Sequence, residues 1–287
     1  MGSSHIHCDV NTAYLWQNYG ISGYDYSAAE QPLWITYYFL KEICKTQSPK
    51  LIVLDLFAPA SFTDDYQYDF MPDNLYGMNF SLNKLQMILT CCEFDKITEY
   101  FPTLFGSHTR YTELDETDKE KFDLSNKDMA SFKGFTPYFG KTKTECNEII
   151  TDEHAELTEK TRTYLQKIID YTNENGIELY LIVSPYISTY EEETAYNTFK
   201  AIANENNIIM DNMNHHYANM GFIPEKHLFD NSHLNYSGSK IFSDYLGKKI
   251  KEYYDIEDHR GDPYYSSWDD GCLEIEKIVS EHKSKKK

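Results

Sequence analysis

The 287 residues predict an α/β protein, a three-layer α/β/α sandwich around a mostly parallel sheet. Three observations carry that expectation. Leu51-Ile52-Val53-Leu54-Asp55-Leu56-Phe57 and Ile177 to Val183 are largely apolar runs, the pattern of strands buried on both faces. Stretches with helical periodicity alternate with such runs, which is the order of βαβ units. Side chains capable of chemistry fall at the exits of the strands, where open α/β sheets bind their ligands.

Taken in order, residues 2–20 read as a turn running into a short helix. Asp9-Val10-Asn11 lies near its cap, and Tyr14, Leu15 and Tyr19 share a face. Ile21 to Ala29 reads as a short strand and its exit. Gln31-Pro32 opens a helix that runs to about Lys45, with Pro in the first turn where its missing N–H costs little. Leu33, Tyr37, Leu40 and Cys44 recur along it at helical spacing. The apolar run 51–57 follows as a strand. Residues 58–145 change character. They are rich in Asp, Tyr, Phe, Asn and Thr and show no clear strand, although 83–100 has helical character. This segment is read as an insertion that covers the C-terminal edge of the sheet like a lid, with Lys133 to Tyr138 as the loop returning from it. Thr158 to Asn175 is an amphipathic helix with Leu165, Ile168, Ile169 and Thr172 on one stripe, stopped by Gly176. The strand 177–183 ends at Ser184-Pro185. A helix over 191–204, a short strand 208–210 ending at Asp211, and a helix from Ser237 to Tyr253 complete the pattern. Lys283 to Lys287 is a basic tail. The whole chain, 1–287, is thus read as one domain, long enough to bury a substantial core.

Composition narrows the partners. A net charge of -19 would repel a phosphate backbone and argues against nucleic acid. The 25 Tyr and 16 Phe suit a cleft that stacks on sugars, or simply an aromatic core; Tyr66, Tyr68 and Tyr76 of the inserted segment are candidates for either. Six cysteines, at 8, 44, 91, 92, 146 and 272, include no CxxC and read as free, mostly buried thiols. His215-His216, which follows Asp211, reads as surface rather than metal ligand. No run approaches the ~18 apolar residues of a membrane span. A nucleophile turn normally follows a strand, and none precedes Ser4. The expectation is therefore an upstream portion missing from this chain, with an anchor that would place the protein in the cell envelope. Without such an anchor the reading is cytoplasmic.

The chemistry centres on Leu228-Phe229-Asp230-Asn231-Ser232-His233-Leu234-Asn235-Tyr236-Ser237-Gly238. An Asp three residues before a His can share one loop with it, and the carboxylate then orients the imidazole. The missing partner is a nucleophile, and Gly2-Ser3-Ser4-His5 offers Ser4. Structural readings stand beside these: a turn serine for Ser4, a helix-cap pair for Asp230 and His233, and a packing role for His5.

Gly2-Ser3-Ser4 together with Asp230-x-x-His233-Leu-Asn resembles the SGNH (GDSL-type) hydrolase superfamily. In its motif a nucleophilic Ser closes a turn near the start and an Asp-x-x-His pair lies near the end. The nearest likeness is to a bacterial cell-surface branch, that of teichoic acid D-alanylation and polysaccharide O-acetylation. There the opening reads Gly-Ser-Ser followed by His or Glu, and segments like Tyr24 to Pro32, His108-Thr109-Arg110 and Asp258 to Asp262 recur. The resemblance implies Ser4 as nucleophile, His233 as general base and Asp230 as its orienter. It implies backbone N–H groups of Ser4 and of the Tyr26-Ser27-Ala28 turn as oxyanion donors, with Ser27 where Gly is usual. His5 would be structural or line the substrate, His108 and Arg110 would hold an anionic or sugar group or else serve packing or a surface ion pair, and no metal or organic cofactor is required. One departure is plain: the family's Gly-x-Asn-Asp block is absent, and Asp55-Leu56-Phe57-Ala58-Pro59 stands in its place. Loss of one oxyanion donor costs on the order of 10²–10³ in turnover.

The function expected is a serine-dependent esterase or O-acyltransferase acting on acylated carbohydrate or a teichoic-acid-like polymer of the cell envelope. Two alternatives stand beside it. One is a catalytically inert scaffold of the same fold that partners a membrane-bound O-acyltransferase, favoured by the missing block. The other is an intracellular esterase for small acetylated substrates.

Overall fold

The computed structural model describes residues 1–62, 70–76, 78–92, 97, 132–143 and 148–285. Three strands, β1 (Leu51–Asp55), β2 (Glu178–Val183) and β3 (Ile209–Asn212), form a parallel sheet in the order β1-β2-β3. The helices that carry the description below are α1 (Ser4–Asp9), α2 (Thr12–Tyr19), α3 (Leu33–Ile43), α4 (Phe57–Ser61), α5 (Met71–Tyr76), α6 (Leu82–Cys91), α7 (Glu159–Glu174), α8 (Tyr190–Glu205), α9 (Tyr236–Tyr253) and α10 (Ser266–Lys285). Among the described residues no helix is long and apolar enough to cross a membrane.

The sheet is apolar on both faces because successive strand residues point to opposite sides. Leu179, Leu181 and Val183 enter one core with Leu33, Leu40, Ile168, Ile169 and Phe199 of α3, α7 and α8. Tyr180 and Ile182 enter a second core with Ile6 of α1 and Phe242, Leu246 and Ile250 of α9. Burying such a side chain fully is worth about 1.5–3 kcal/mol, so the two cores fix the helices to the sheet. Register aligns Asp55, Ile182 and Asp211 across the three strands, and the strand exits share one edge.

On the free side of β1 the chain's first residues complete that edge. The Met1 amino group donates to the Val53 carbonyl at 2.6 Å, and the Asp55 N–H donates to the Met1 carbonyl at 3.0 Å. Gly2 then forms a parallel bridge with Ser27. Gly2 turns there at φ 140°, and a Cβ would sit 3.2 Å from Asp55; glycine is the residue that adopts this backbone without penalty.

Most elements lie where the sequence places them. Three expectations change. Residues 21–29 are not a strand: only Ser27 bridges, and the Asp25 N–H donates instead to Lys133 of the returning loop. Within the expected insertion, Met71, Leu75, Met78, Met87, Ile88 and Cys91 join the main core alongside α3, so this part is structural packing. The expected cover over the sheet edge, with Tyr66 and Tyr68, lies outside the described residues; Tyr76 is in α5. Lys283 to Lys285 of the basic tail end α10, a helix the expectation lacked; the last two residues lie outside the described residues. Cys272, Ile275 and Val279 repeat at helical spacing and carried that signal, but two aspartates and a glycine stand immediately before the stripe. Cys8, Cys44, Cys91, Cys92 and Cys272 are free thiols, all but Cys44 buried; Cys146 lies outside the described residues.

Candidate active site

Two short segments from opposite ends of the chain meet at the sheet edge. Ser3 caps α1, its Oγ accepting the His5 N–H, and leaves Ser4 as the first helical residue just past the Gly2 turn. The other segment is a loop closed by an antiparallel bridge between Leu228 and Leu234. Inside it, Asp230 Oδ1 accepts the N–H groups of Ser232 at 2.8 Å and His233 at 2.7 Å. This Asx-type turn brings the carboxylate to His233 Nδ1, 3.1 Å from Oδ2 and 3.2 Å from Oδ1. His233 Nε2 lies 2.9 Å from Ser4 Oγ. With Nδ1–H directed at the carboxylate, Nε2 is left with a lone pair toward the hydroxyl, the arrangement in which imidazole can take the serine proton. The His233 side chain is 21% exposed and that of Asp230 45%, so the pair is reachable from solvent. Burial works against the Asp230 charge, but the Ser232 and His233 hydrogen bonds outweigh it and hold the carboxyl below its usual range.

Asn235 secures the loop on its far side. Its Oδ1 caps α9 by accepting the Ser237 and Gly238 N–H groups, each at 3.0 Å. Its amide donates to the Gly140 and Lys226 carbonyls, each at 2.8 Å. The Leu-Asn following His233 is therefore a structural anchor.

The other expected residues divide. Ser27 lies beside Gly2, and its hydroxyl is 3.1 Å from His7 Nδ1. Ala28 follows in the turn, its carbonyl accepting the Gln31 N–H. His5, expected as structural or substrate-lining, is fully buried, stacked on Phe57 at 3.7 Å with Tyr186 edge-on at 5.1 Å. His108 and Arg110 lie outside the described residues. His215, read as surface, is exposed and forms an ion pair with buried Glu193 at 3.1 Å.

Several neighbours went unread in the sequence. His7 stands one helical turn after Ser4, and burial, with His233 adding to it, lowers its pKa to about 4, so it is neutral near pH 7. Tyr138 meets His233 edge-on at 5.9 Å and Phe229 at 4.9 Å. The Ser4–His7 and His5–Asp9 spacings, i,i+3 and i,i+4, were the available signal.

At the exit of β1 the Asp55 carboxylate is spent on backbone. Oδ1 accepts the Phe57 N–H at 3.0 Å and Oδ2 the Ser184 N–H at 2.9 Å, tying the ends of β1 and β2 together. The following side chain is the Phe57 ring over His5, so this exit presents no side-chain N–H in place of the absent Asn. Burial raises Asp9, Asp25 and Asp55 above the usual carboxylate range. Among the described residues no group of three or more His, Cys, Asp or Glu is placed to hold a metal ion.

One family model, that of an uncharacterised family, matches residues 136–255, a span that contains Asp230 and His233 and begins after Ser4. No curated protein and no solved structure matches the chain.

Proposed function

We propose that this chain is a serine-dependent esterase or O-acyltransferase of the SGNH type, built as a three-layer sandwich with its site at the sheet edge. The observation that carries the reading is the Ser4–His233–Asp230 relay, with 2.9 Å from hydroxyl to base and 3.1 Å from base to acid. In this reading Ser4 Oγ attacks an ester carbonyl as His233 takes its proton. Backbone N–H groups of Ser4 and the Ser27 turn receive the oxyanion. His233 then returns the proton to the leaving alkoxide, and water or a sugar hydroxyl resolves the acyl-enzyme. An acylated carbohydrate or envelope polymer as substrate rests on the motif resemblance.

The test is covalent labelling by a fluorophosphonate probe. Wild type should label at Ser4, and Ser4→Ala and His233→Ala should not. A folded wild type that stays unlabelled would overturn the reading. It would favour the inert scaffold that partners a membrane acyltransferase, which the exit of β1 already supports by presenting Phe57 where the family has its Asn donor.

A further inference from the structure

A second, interlocked array sits behind the first. Ser4 and His5 are adjacent on α1, and Ser232 and His233 are adjacent on the loop. Each serine meets the other segment's histidine: Ser4 Oγ with His233 Nε2, and Ser232 Oγ with His5 Nε2, both at 2.9 Å. Asp9, one turn along α1, takes the Leu234 N–H on Oδ1 at 2.8 Å. Three consecutive loop residues, 232, 233 and 234, are thus held by three residues of one six-residue helix. His5 and Asp9 are fully buried. His5 Nδ1 and Asp9 Oδ2 face each other at 4.0 Å, and neither has a hydrogen-bond partner. Leaving such buried polar atoms unpaired is costly. What the two side chains do make is one bond apiece, each to the loop residue on one side of His233.

We propose that His5 and Asp9 are positioning residues of the Ser4–His233–Asp230 site: they clamp the residues flanking His233 and so set the distance at which hydroxyl and imidazole meet. The proposal rests on the catalytic reading above for its kinetic consequence, but the clamp itself is geometric. The second array is not a second nucleophilic site, because its imidazole is sealed beneath Phe57 and Tyr186 and its acid stands beyond hydrogen-bond reach. Burial, followed by the charges of His233 and His7, keeps His5 well below the usual histidine range. The imidazole that bonds Ser232 is therefore the neutral form near pH 7.

Ser232→Ala removes the one hydroxyl that His5 holds and leaves the fold otherwise intact. His5→Gln keeps a hydrogen-bonding amide near that hydroxyl, and His5→Leu does not. Two readouts apply. The first is ¹H–¹⁵N NMR of the His233 imidazole, where the Nδ1–H bonded to Asp230 gives a downfield resonance. That resonance should be present in wild type and His5→Gln, and broadened or lost in Ser232→Ala and His5→Leu. The second is turnover of a short acyl ester. Here kcat should fall about 10- to 100-fold in Ser232→Ala with KM unchanged, and His5→Gln should recover part of the loss of His5→Leu. An unchanged His233 resonance and unchanged kcat in Ser232→Ala would overturn the clamp. So would probe labelling at Ser232 in Ser4→Ala. If wild type fails to label at all, the catalytic reading falls, and the NMR comparison still decides the clamp.

Discussion

Asp9 shows how one buried carboxyl serves the site. Its Oδ1 is committed to the Leu234 N–H, and burial pushes its pKa well above the usual range. An acid whose folded pKa is raised stabilises fully below its unfolded value and loses that contribution as pH rises through the folded one. Asp9→Asn keeps the acceptor and removes the titration, so urea unfolding at pH 8 should find it at least as stable as wild type. Asp9→Ala strands a buried N–H and should lose about 1–3 kcal/mol at low pH, where Asp9 is protonated, with the loss shrinking as pH rises. Equal losses in both variants at pH 8 would show that the carboxylate charge itself is needed.

The loop carrying His233 depends on how closely α9 approaches the turn before it. A Cβ on Gly238 would lie 2.1 Å from the His227 carbonyl oxygen, a backbone atom that cannot rotate away. Gly238→Ala should therefore cost ~3 kcal/mol and displace the 224–235 segment that holds the site, seen as a lowered Tm together with a shifted His233 resonance. An unchanged Tm would mean that the turn relaxes freely. The glycine was visible in the sequence as the residue after Asn-Tyr-Ser. Its cause was not, because the colliding carbonyl belongs to a segment whose packing no local pattern encodes. The Asx turn of Asp230 and the helix starting near Ser237 were legible, since both are set by residues within four positions of each other.

At the scale of the whole molecule, an acidic protein surrounds a site where burial works against charge. His7 is the clearest case, lowered to about 4 by burial first and by His233 second. The unfolded chain binds a proton on this residue below about pH 6.5, and the folded chain does so only near 4. Its contribution to stability is therefore complete above 6.5 and declines as pH falls from 6.5 to 4. His7→Asn, which does not titrate, should show its stability relative to wild type improving across that window by roughly 2–3 kcal/mol, and constant above it. Urea melts at pH 4, 5, 6 and 7 measure this directly; a difference independent of pH would mean that His7 protonates as easily in the fold as out of it.

By itself the sequence determined the parallel α/β framework, the boundaries of α3, α7, α8 and β2 to within a residue or two, and three residues, Ser4, His233 and Asp230, that the fold brings into hydrogen-bond distance. These follow from periodicity, capping chemistry and short spacings, all of them local. Only the tertiary structure decided what holds them. It buried His5 instead of leaving it to line a cleft, put Phe57 at the exit of β1, packed Met71, Leu75, Met78, Met87, Ile88 and Cys91 into the core, and laid α10 beside α2 through Trp16 and Asp269 at 2.8 Å. Each of these is a contact between residues far apart in the chain. Their partners are chosen by which apolar faces and buried polar atoms remain to be covered once the sheet has formed, and no window of the sequence contains both sides of that choice.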